Sequence, residues 1–141
     1  MRLWHQELID KLPRQQLISQ HRECCALRGL GWQKKHKTID YIFNYNPVRL
    51  VAYHWLVMEE MHNRGYNPNE RWLEFDYRGK KVGIDEGFCN VEDIEKYIIE
   101  DNVIYSEHNQ EYLDECIDNL ADKGCVCRYF EDEFEQYLKN I

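Results

Sequence analysis

Apolar residues recur at three- and four-residue steps over two long stretches, a spacing typical of helices that bury one face. The first stretch begins at Pro13 and extends to about Gly29, and the second begins after Asn46-Pro47 and extends to Gly65. Proline is favoured in the first turn of a helix and glycine just after its last turn. We therefore predict two amphipathic helices between these residues.

The second half of the chain predicts shorter elements. RWLEFDYRGKKVGI alternates apolar and polar residues around Arg78-Gly79-Lys80, which indicates a short β-hairpin near residues 72–83. Asn90 is placed to cap a helix over residues 91–99, and a further helix runs from about Glu107 to Lys123. A last helix covers EDEFEQYLK. The predicted fold is mainly α, a compact single domain over residues 1–141.

Charge is divided unevenly along this chain of formal net charge −8. Residues 1–81 carry 14 Lys/Arg and 9 Asp/Glu, whereas residues 82–141 carry 4 and 17. The first 37 residues contain 8 basic and 3 acidic residues. This asymmetry favours an anionic partner at the N-terminal end. The acidic second half is most simply a solvated helical surface.

Location and metal binding are constrained only by what the sequence lacks. The apolar runs are too short for a membrane span, and MRLWHQELID lacks the layout of a signal peptide, so we expect a cytoplasmic protein with reduced cysteines. Cys125 and Cys127 have no companion pair at zinc-site spacing, and the six histidines form no compact metal motif. We expect His21 and His54 at the edge of the core and no metal site.

On a helical wheel, the first helix presents Glu23 away from its apolar face. Its neighbours one turn away, Ser19 and Ala26, are small, so a ligand could approach closely. From the pattern alone, a solvated surface glutamate is the simplest interpretation. The predicted core face consists of Leu17, Ile18, His21, Cys24 and Cys25.

The motif LPRQQLISQHRE resembles the pyrimidine-dimer DNA glycosylases, the family of phage endonuclease V and its bacterial relatives. The match rests on Leu12, Gln15, Leu17, Arg22 and Glu23. The segments MRLWH, GWQKKH and MEEMHNRGY look like landmarks of the bacterial members. The resemblance extends over most of the chain, and its specific part is the first helix.

This resemblance implies a compact, mostly helical DNA glycosylase and abasic-site lyase. In the family, the N-terminal α-amine attacks the sugar C1′ and forms a Schiff base, and the glutamate that matches Glu23 stabilises the cationic sugar and assists proton transfer. An α-amine suits this role because it loses its proton at lower pH than a lysine does. Since methionine is normally retained before a residue as large as Arg2, the nucleophile here would be Met1.

The same resemblance, together with the basic residues around the motif, implies a DNA-binding face. Its substrate would be damaged or abasic duplex DNA, bound by a monomer that needs no metal or organic cofactor. Trp32 is compatible with stacking on a base or with burial. The expected DNA contacts are Arg2, Gln15, Arg22, Arg28, Lys34, Lys35 and His36.

Two other functions are compatible with the sequence. The chain could be a non-catalytic nucleic-acid-binding or interaction protein that retains the family's fold, which the acidic second half and the retained Met1 favour. Alternatively, it could keep the chemistry and act on another modified base or on RNA.

Overall fold

The computed structural model describes residues 1–124, which are mainly helical. No β-strand occurs in this part of the chain, and the predicted α class is confirmed. This part of the chain contains four α-helices and four short 3-10 helices, the latter at Gln6–Lys11, Asp40–Asn44, Glu70–Leu73 and Val91–Asp93. The α-helices are α1 (Arg14–Arg28), α2 (Val48–Asn63), α3 (Glu95–Ile98) and α4 (Gln110–Asp122).

The observed ends of α1 and α2 agree with the ends that we predicted from the positions of proline and glycine. Pro13 and Pro47 are the residues just before the two helices, and Gly29 is the C-terminal cap of α1. Gly65 follows α2 with a φ of 85°, a left-handed conformation that glycine adopts without steric cost. A Cβ atom on Gly31 would lie 2.7 Å from the Ala26 carbonyl oxygen, so only glycine lets the chain fold back over the end of α1.

Helices α1 and α2 pack against each other and form the centre of the core, to which the 3-10 helix Gln6–Lys11 adds its apolar side. The N-terminal segment is part of this core, because Leu3 and Trp4 are buried. Burying such side chains is the main favourable contribution to folding. Other buried members are Leu12, Leu17, Leu27, Ile42, Leu50, Val51, Tyr53, Val57, Ile104, Tyr105, Cys116 and Leu120.

The buried face of α1 differs from the predicted core face: it is rotated about the helix axis toward Glu23. Ile18, His21 and Cys25 are half-buried, although the wheel placed them on the core face. Gln20, which was not predicted on the core face, is buried. The residues of α1 that are buried are Leu17, Gln20, Cys24, Leu27 and Arg28.

Two predicted elements are shorter than expected. The hairpin near residues 72–83 is reduced to a single antiparallel bridge between Tyr77 and Ile84, and residues 70–73 form a 3-10 turn instead of a strand. The predicted helix over 91–99 is divided into a 3-10 turn and the short α3, and the Asn90 side chain makes no capping hydrogen bond there.

Helix α4 confirms the predicted C-terminal helix with a later start. Asn109 caps it by accepting a hydrogen bond from the Tyr112 backbone N–H at 3.0 Å. The helix predicted over EDEFEQYLK lies outside the described residues. Within residues 1–124, no helix is both long enough and apolar enough to cross a membrane.

Candidate active site

Gln20 is fully buried on α1 and connects the N-terminal segment to Glu23. Its Nε2 donates to the Arg2 carbonyl at 3.0 Å and to Glu23 Oε2 at 2.9 Å. Its Oε1 accepts from the Trp4 backbone N–H at 2.7 Å. The Tyr53 hydroxyl, on α2, lies 2.9 Å from the same Oε1 and 2.6 Å from the Trp4 carbonyl oxygen. One side chain therefore holds both the chain end and the candidate carboxylate.

Two more hydroxyl groups fix the segment before Trp4. The Thr38 hydroxyl donates to the Met1 carbonyl, and the Tyr112 hydroxyl, on α4, donates to the Leu3 carbonyl. Side chains from three separate parts of the fold thus bind successive carbonyls. Met1 itself remains 49% exposed, so the α-amine end of the segment lies at the surface.

Glu23 is half-buried, and its surroundings change its proton affinity. Burial raises the pKa of the Glu23 carboxyl, and the positive charges of the N-terminal amine and Lys123 oppose part of that rise. The amine of Met1 therefore lies within electrostatic reach of the carboxylate. A raised pKa brings a carboxyl group closer to the range in which it can act as a general acid or base.

An open groove of about 450 Å³ runs along the outer face of α1, and Glu23 is not among the residues that line it. Gln15 and Arg22 line it and are both exposed, as expected for residues that meet an external partner. The remaining lining residues are Arg14, Ile18 and Ser19.

The loop after α1 brings an exposed basic segment next to the N-terminus. Lys34, Lys35 and His36 are exposed there. The His36 backbone N–H donates to Asp40 Oδ1 at 2.7 Å, and its Nδ1 lies 2.9 Å from the Thr38 hydroxyl. Because Thr38 also binds the Met1 carbonyl, this basic loop and the chain end share one contact.

Arg2 points toward the acidic helix α4. Its Nη2 lies 3.5 Å from Glu115 Oε1, and its guanidinium lies 5.7 Å from the ring centroids of both Trp4 and Tyr112. Its side chain is only 15% exposed. Arg2 is therefore close to the chain end, but part of its charge is already balanced within the protein.

Arg28 does not fit the predicted DNA contact, because it is fully buried. Its Nη1 donates to the Trp72 carbonyl at 2.8 Å and to His54 Nδ1 at 3.0 Å. Its Nη2 donates to the carbonyls of Glu74 and Tyr77 at 2.8 and 2.9 Å. Burial lowers the pKa of the guanidinium to about 10. Arg28 joins α1 to the segment after α2 and has no surface for a phosphate.

Two further groups were not predicted as functional. Gln20 carried no signal because a polar residue beside an apolar stripe is usually exposed. His21, Cys25 and His54 lie together between α1 and α2, although their spacing in the sequence indicates no metal motif. Trp32 is half-buried and packs edge-on against Phe43, with ring centroids 5.0 Å apart, which fits the burial alternative.

Comparison with known protein families adds an independent observation. A family model described as pyrimidine dimer DNA glycosylase matches residues 1–74, slightly more than half of the chain. The matched range contains α1, α2, the basic loop and the four hydrogen-bond partners of Gln20 named above. No curated protein and no solved structure matches the chain significantly.

Proposed function

This chain belongs to the pyrimidine dimer DNA glycosylase family, a family of DNA repair glycosylases, and on that premise we propose that it cleaves damaged or abasic DNA through its N-terminal amine. In this proposal, Met1 is the nucleophile and Glu23 the carboxylate that assists it. The reaction class is that of a glycosylase with abasic-site lyase activity.

The observation that carries the proposal is the position of Gln20 between the two reacting groups. Its Nε2 donates both to the Arg2 carbonyl, one residue from the amine, and to Glu23 Oε2. A buried amide with these two partners holds the chain end and the carboxylate in one arrangement before any substrate binds. Such preorganisation lowers the entropic cost of bringing reacting groups together.

The chemical steps follow from the properties of the two groups. The neutral Met1 amine attacks C1′ of the sugar. The bond from C1′ to the base breaks as positive charge develops on the sugar, and the base leaves with a proton; at an abasic site the C1′ hydroxyl leaves instead as water. The Glu23 carboxylate stabilises that charge, as carboxylates do in glycoside hydrolysis. The C1′–O4′ bond then breaks, the nitrogen gives up one proton and O4′ gains one, so that the sugar ring opens and the iminium form of the Schiff base results. Removal of a proton from C2′ then expels the 3′ phosphate.

The DNA would lie across the outer face of α1 and the basic loop. Arg22 and Gln15 border the groove, and Lys34, Lys35 and His36 are exposed beside the chain end. Phosphate contacts of this kind position a duplex without reading its sequence. A damaged or unpaired base is also easier to extrude from the stack. Arg2 would contact the DNA at the edge of this face that adjoins α4.

A non-catalytic binding function is the second candidate, and the acidic character of α4 favours it. Glu115 on this helix already pairs with Arg2, so the chain end is less electropositive than its own residues predict. The other acidic residues of α4 are Glu111, Asp114, Asp118 and Asp122.

Strand cleavage by a Glu23 variant tests the proposal. We expect Glu23→Gln to cleave abasic duplex DNA about 10²–10⁴-fold more slowly than the unchanged protein, which is the usual contribution of a positioned acid or base. Its affinity for the same DNA should stay within a few-fold. Glu7→Gln, which removes an exposed carboxylate from the 3-10 helix Gln6–Lys11, is the matched control and should cleave normally. Normal cleavage by Glu23→Gln would overturn the role of Glu23, and no cleavage by the unchanged protein would favour the non-catalytic alternative.

A further inference from the structure

A cluster of one thiol and two imidazoles lies between α1 and α2, on a different face of α1 from Glu23. His21 and Cys25 are one turn apart on α1, and His54 faces them from α2. His21 Nδ1 lies 2.8 Å from His54 Nε2. Cys25 Sγ lies 3.9 Å from that same His21 nitrogen and 3.8 Å from His54 Nε2.

These distances fit the ligands of a single metal ion. Bond lengths of about 2.3 Å to sulfur and 2.0–2.1 Å to nitrogen place tetrahedral ligand atoms roughly 3.3–3.6 Å apart. The two sulfur–nitrogen distances are within a few tenths of an ångström of that range. Only the His21–His54 distance must open, because in the metal-free protein these two rings are hydrogen-bonded.

The cluster is also reachable from solvent. His21 and Cys25 are half-buried, whereas His54 is fully buried and fixed by the helix pair. An ion could therefore enter past His21 and Cys25 and keep a fourth coordination position open. A thiolate with two imidazoles is a ligand set preferred by soft ions such as Cu⁺ and Zn²⁺.

The charge next to the cluster distinguishes between these ions. Arg28 Nη1 lies 3.0 Å from His54 Nδ1, so a full positive charge is adjacent to one ligand. A divalent ion with one thiolate would leave a net charge of +1 beside this guanidinium, in surroundings where burial strengthens repulsion. A monovalent ion with one thiolate is neutral. We propose that His21, Cys25 and His54 bind a soft monovalent metal ion of the Cu⁺ class.

The binding step balances without an oxidant or reductant. A cysteine thiol ordinarily carries its proton at neutral pH, so Cys25 enters the step as S–H. On binding, the S–H bond breaks, an S–Cu bond forms, and the proton passes to solvent. His54 Nδ1 accepts from Arg28 in the metal-free protein, so the imidazole carries its proton on Nε2. When Nε2 binds the ion, that proton moves to Nδ1, and the hydrogen bond from Arg28 Nη1 to Nδ1 breaks. Arg28 Nη1 keeps its bond to the Trp72 carbonyl.

Anaerobic titration of the reduced full chain with Cu⁺, buffered by a chromogenic chelator, tests the site. We expect one tightly bound Cu⁺ that is lost on Cys25→Ser and strongly weakened on His21→Gln. The weakening should exceed the roughly 10–100-fold effect of removing an outer-shell partner. Thermal unfolding of both variants checks that each is folded at the temperature of the titration.

Three control variants separate this site from other thiols and imidazoles. Cys89→Ser removes a buried thiol elsewhere, and His62→Gln removes an exposed imidazole on α2, so both should bind Cu⁺ normally. The double variant Cys125→Ser/Cys127→Ser should also bind normally. Unchanged Cu⁺ binding in Cys25→Ser, loss of binding in the Cys125/Cys127 variant, or no binding at micromolar Cu⁺ would overturn the proposal. Binding of Zn²⁺ as tight as that of Cu⁺ would overturn the assignment to a monovalent ion.

Discussion

The side-chain amide of Gln20 donates to the Glu23 carboxylate over 2.9 Å, from a position three residues earlier on the same helix. Gln20 is fully buried, and Glu23 lies at the edge of the interior. Because the same Nε2 also binds the Arg2 carbonyl at 3.0 Å, any displacement of Gln20 changes the geometry of both the chain end and the carboxylate. Gln20 is a positioning residue in this account, since it does not reach the substrate.

Replacing Gln20 by methionine should therefore reduce both stability and activity. Methionine has a similar volume but leaves the Trp4 N–H and the Arg2 carbonyl without their partner, which should cost about 2–4 kcal/mol of unfolding free energy. Chemical denaturation measures this loss. Ser19→Ala, at the exposed neighbouring position, is the control and should change the free energy by less than about 0.5 kcal/mol. A Gln20→Met protein as stable as the unchanged one would contradict the assigned hydrogen bonds.

Glu23→Gln should raise the thermal stability near neutral pH although it slows strand cleavage. Burial raises the pKa of Glu23 above its unfolded value, so ionisation of this carboxyl disfavours the folded state. That penalty is absent below the unfolded pKa, develops as pH rises toward the folded pKa and is complete above it. The glutamine variant does not ionise, so it should melt higher than the unchanged protein at pH 7. The difference in melting temperature between the two proteins should vanish below the ordinary pKa of a glutamate. A lower melting temperature for Glu23→Gln than for the unchanged protein at pH 7 would contradict this prediction.

Lys34 and Lys35 should contribute to the salt dependence of DNA binding. Both are exposed in the basic loop beside the chain end. Removing one lysine that neutralises a phosphate should reduce the slope of log K against log salt by about 0.9, so Lys34→Ala/Lys35→Ala should lower it by nearly 2. Lys80→Ala/Lys81→Ala removes an exposed basic pair from the turn near Tyr77 and is the matched control. Equal slopes for the two double variants would indicate that DNA does not lie on the basic loop.

Arg28 and Arg22 should give opposite results. Arg28→Met removes a buried guanidinium that binds three carbonyls and should cost about 3 kcal/mol or more of unfolding free energy. Arg22→Met changes an exposed residue and should leave stability within about 0.5 kcal/mol while weakening DNA binding. Denaturation and DNA affinity, both measured below the melting temperature of each variant, separate the two roles. A large stability loss at Arg22, or none at Arg28, would contradict these placements.

The helices could be predicted from the sequence because local signals define them. Pro13, Gly29 and Pro47 impose conformations through their own covalent structure, and the bounds of α1 and α2 were correct within a few residues. The hairpin prediction was largely wrong, because strand pairing also depends on contacts with residues far away in the sequence. A single bridge forms there, between Tyr77 and Ile84, beside a loop whose carbonyls bind Arg28.

The candidate site could be predicted only in part, because burial of polar groups depends on partners far away in the chain. Arg28 looks like a surface residue in the sequence, and its partners at Trp72 and Tyr77 are more than 40 residues distant. Gln20 is buried because Trp4 and Tyr53 supply its hydrogen bonds. Neither wheel position nor composition contains that information. Glu23 was identified through resemblance to a family and not through its pattern.

Borohydride trapping on abasic duplex DNA is the sharpest test of Met1 as the nucleophile, because only a Schiff base is reduced to a stable covalent adduct. We expect one protein–DNA adduct per active chain, attached at the α-amine of Met1. Selective blocking of the α-amine should abolish the adduct, whereas modification that spares this amine should not. Peptide mapping of the adduct to a lysine, or the absence of any adduct with intact, folded protein, would contradict the account.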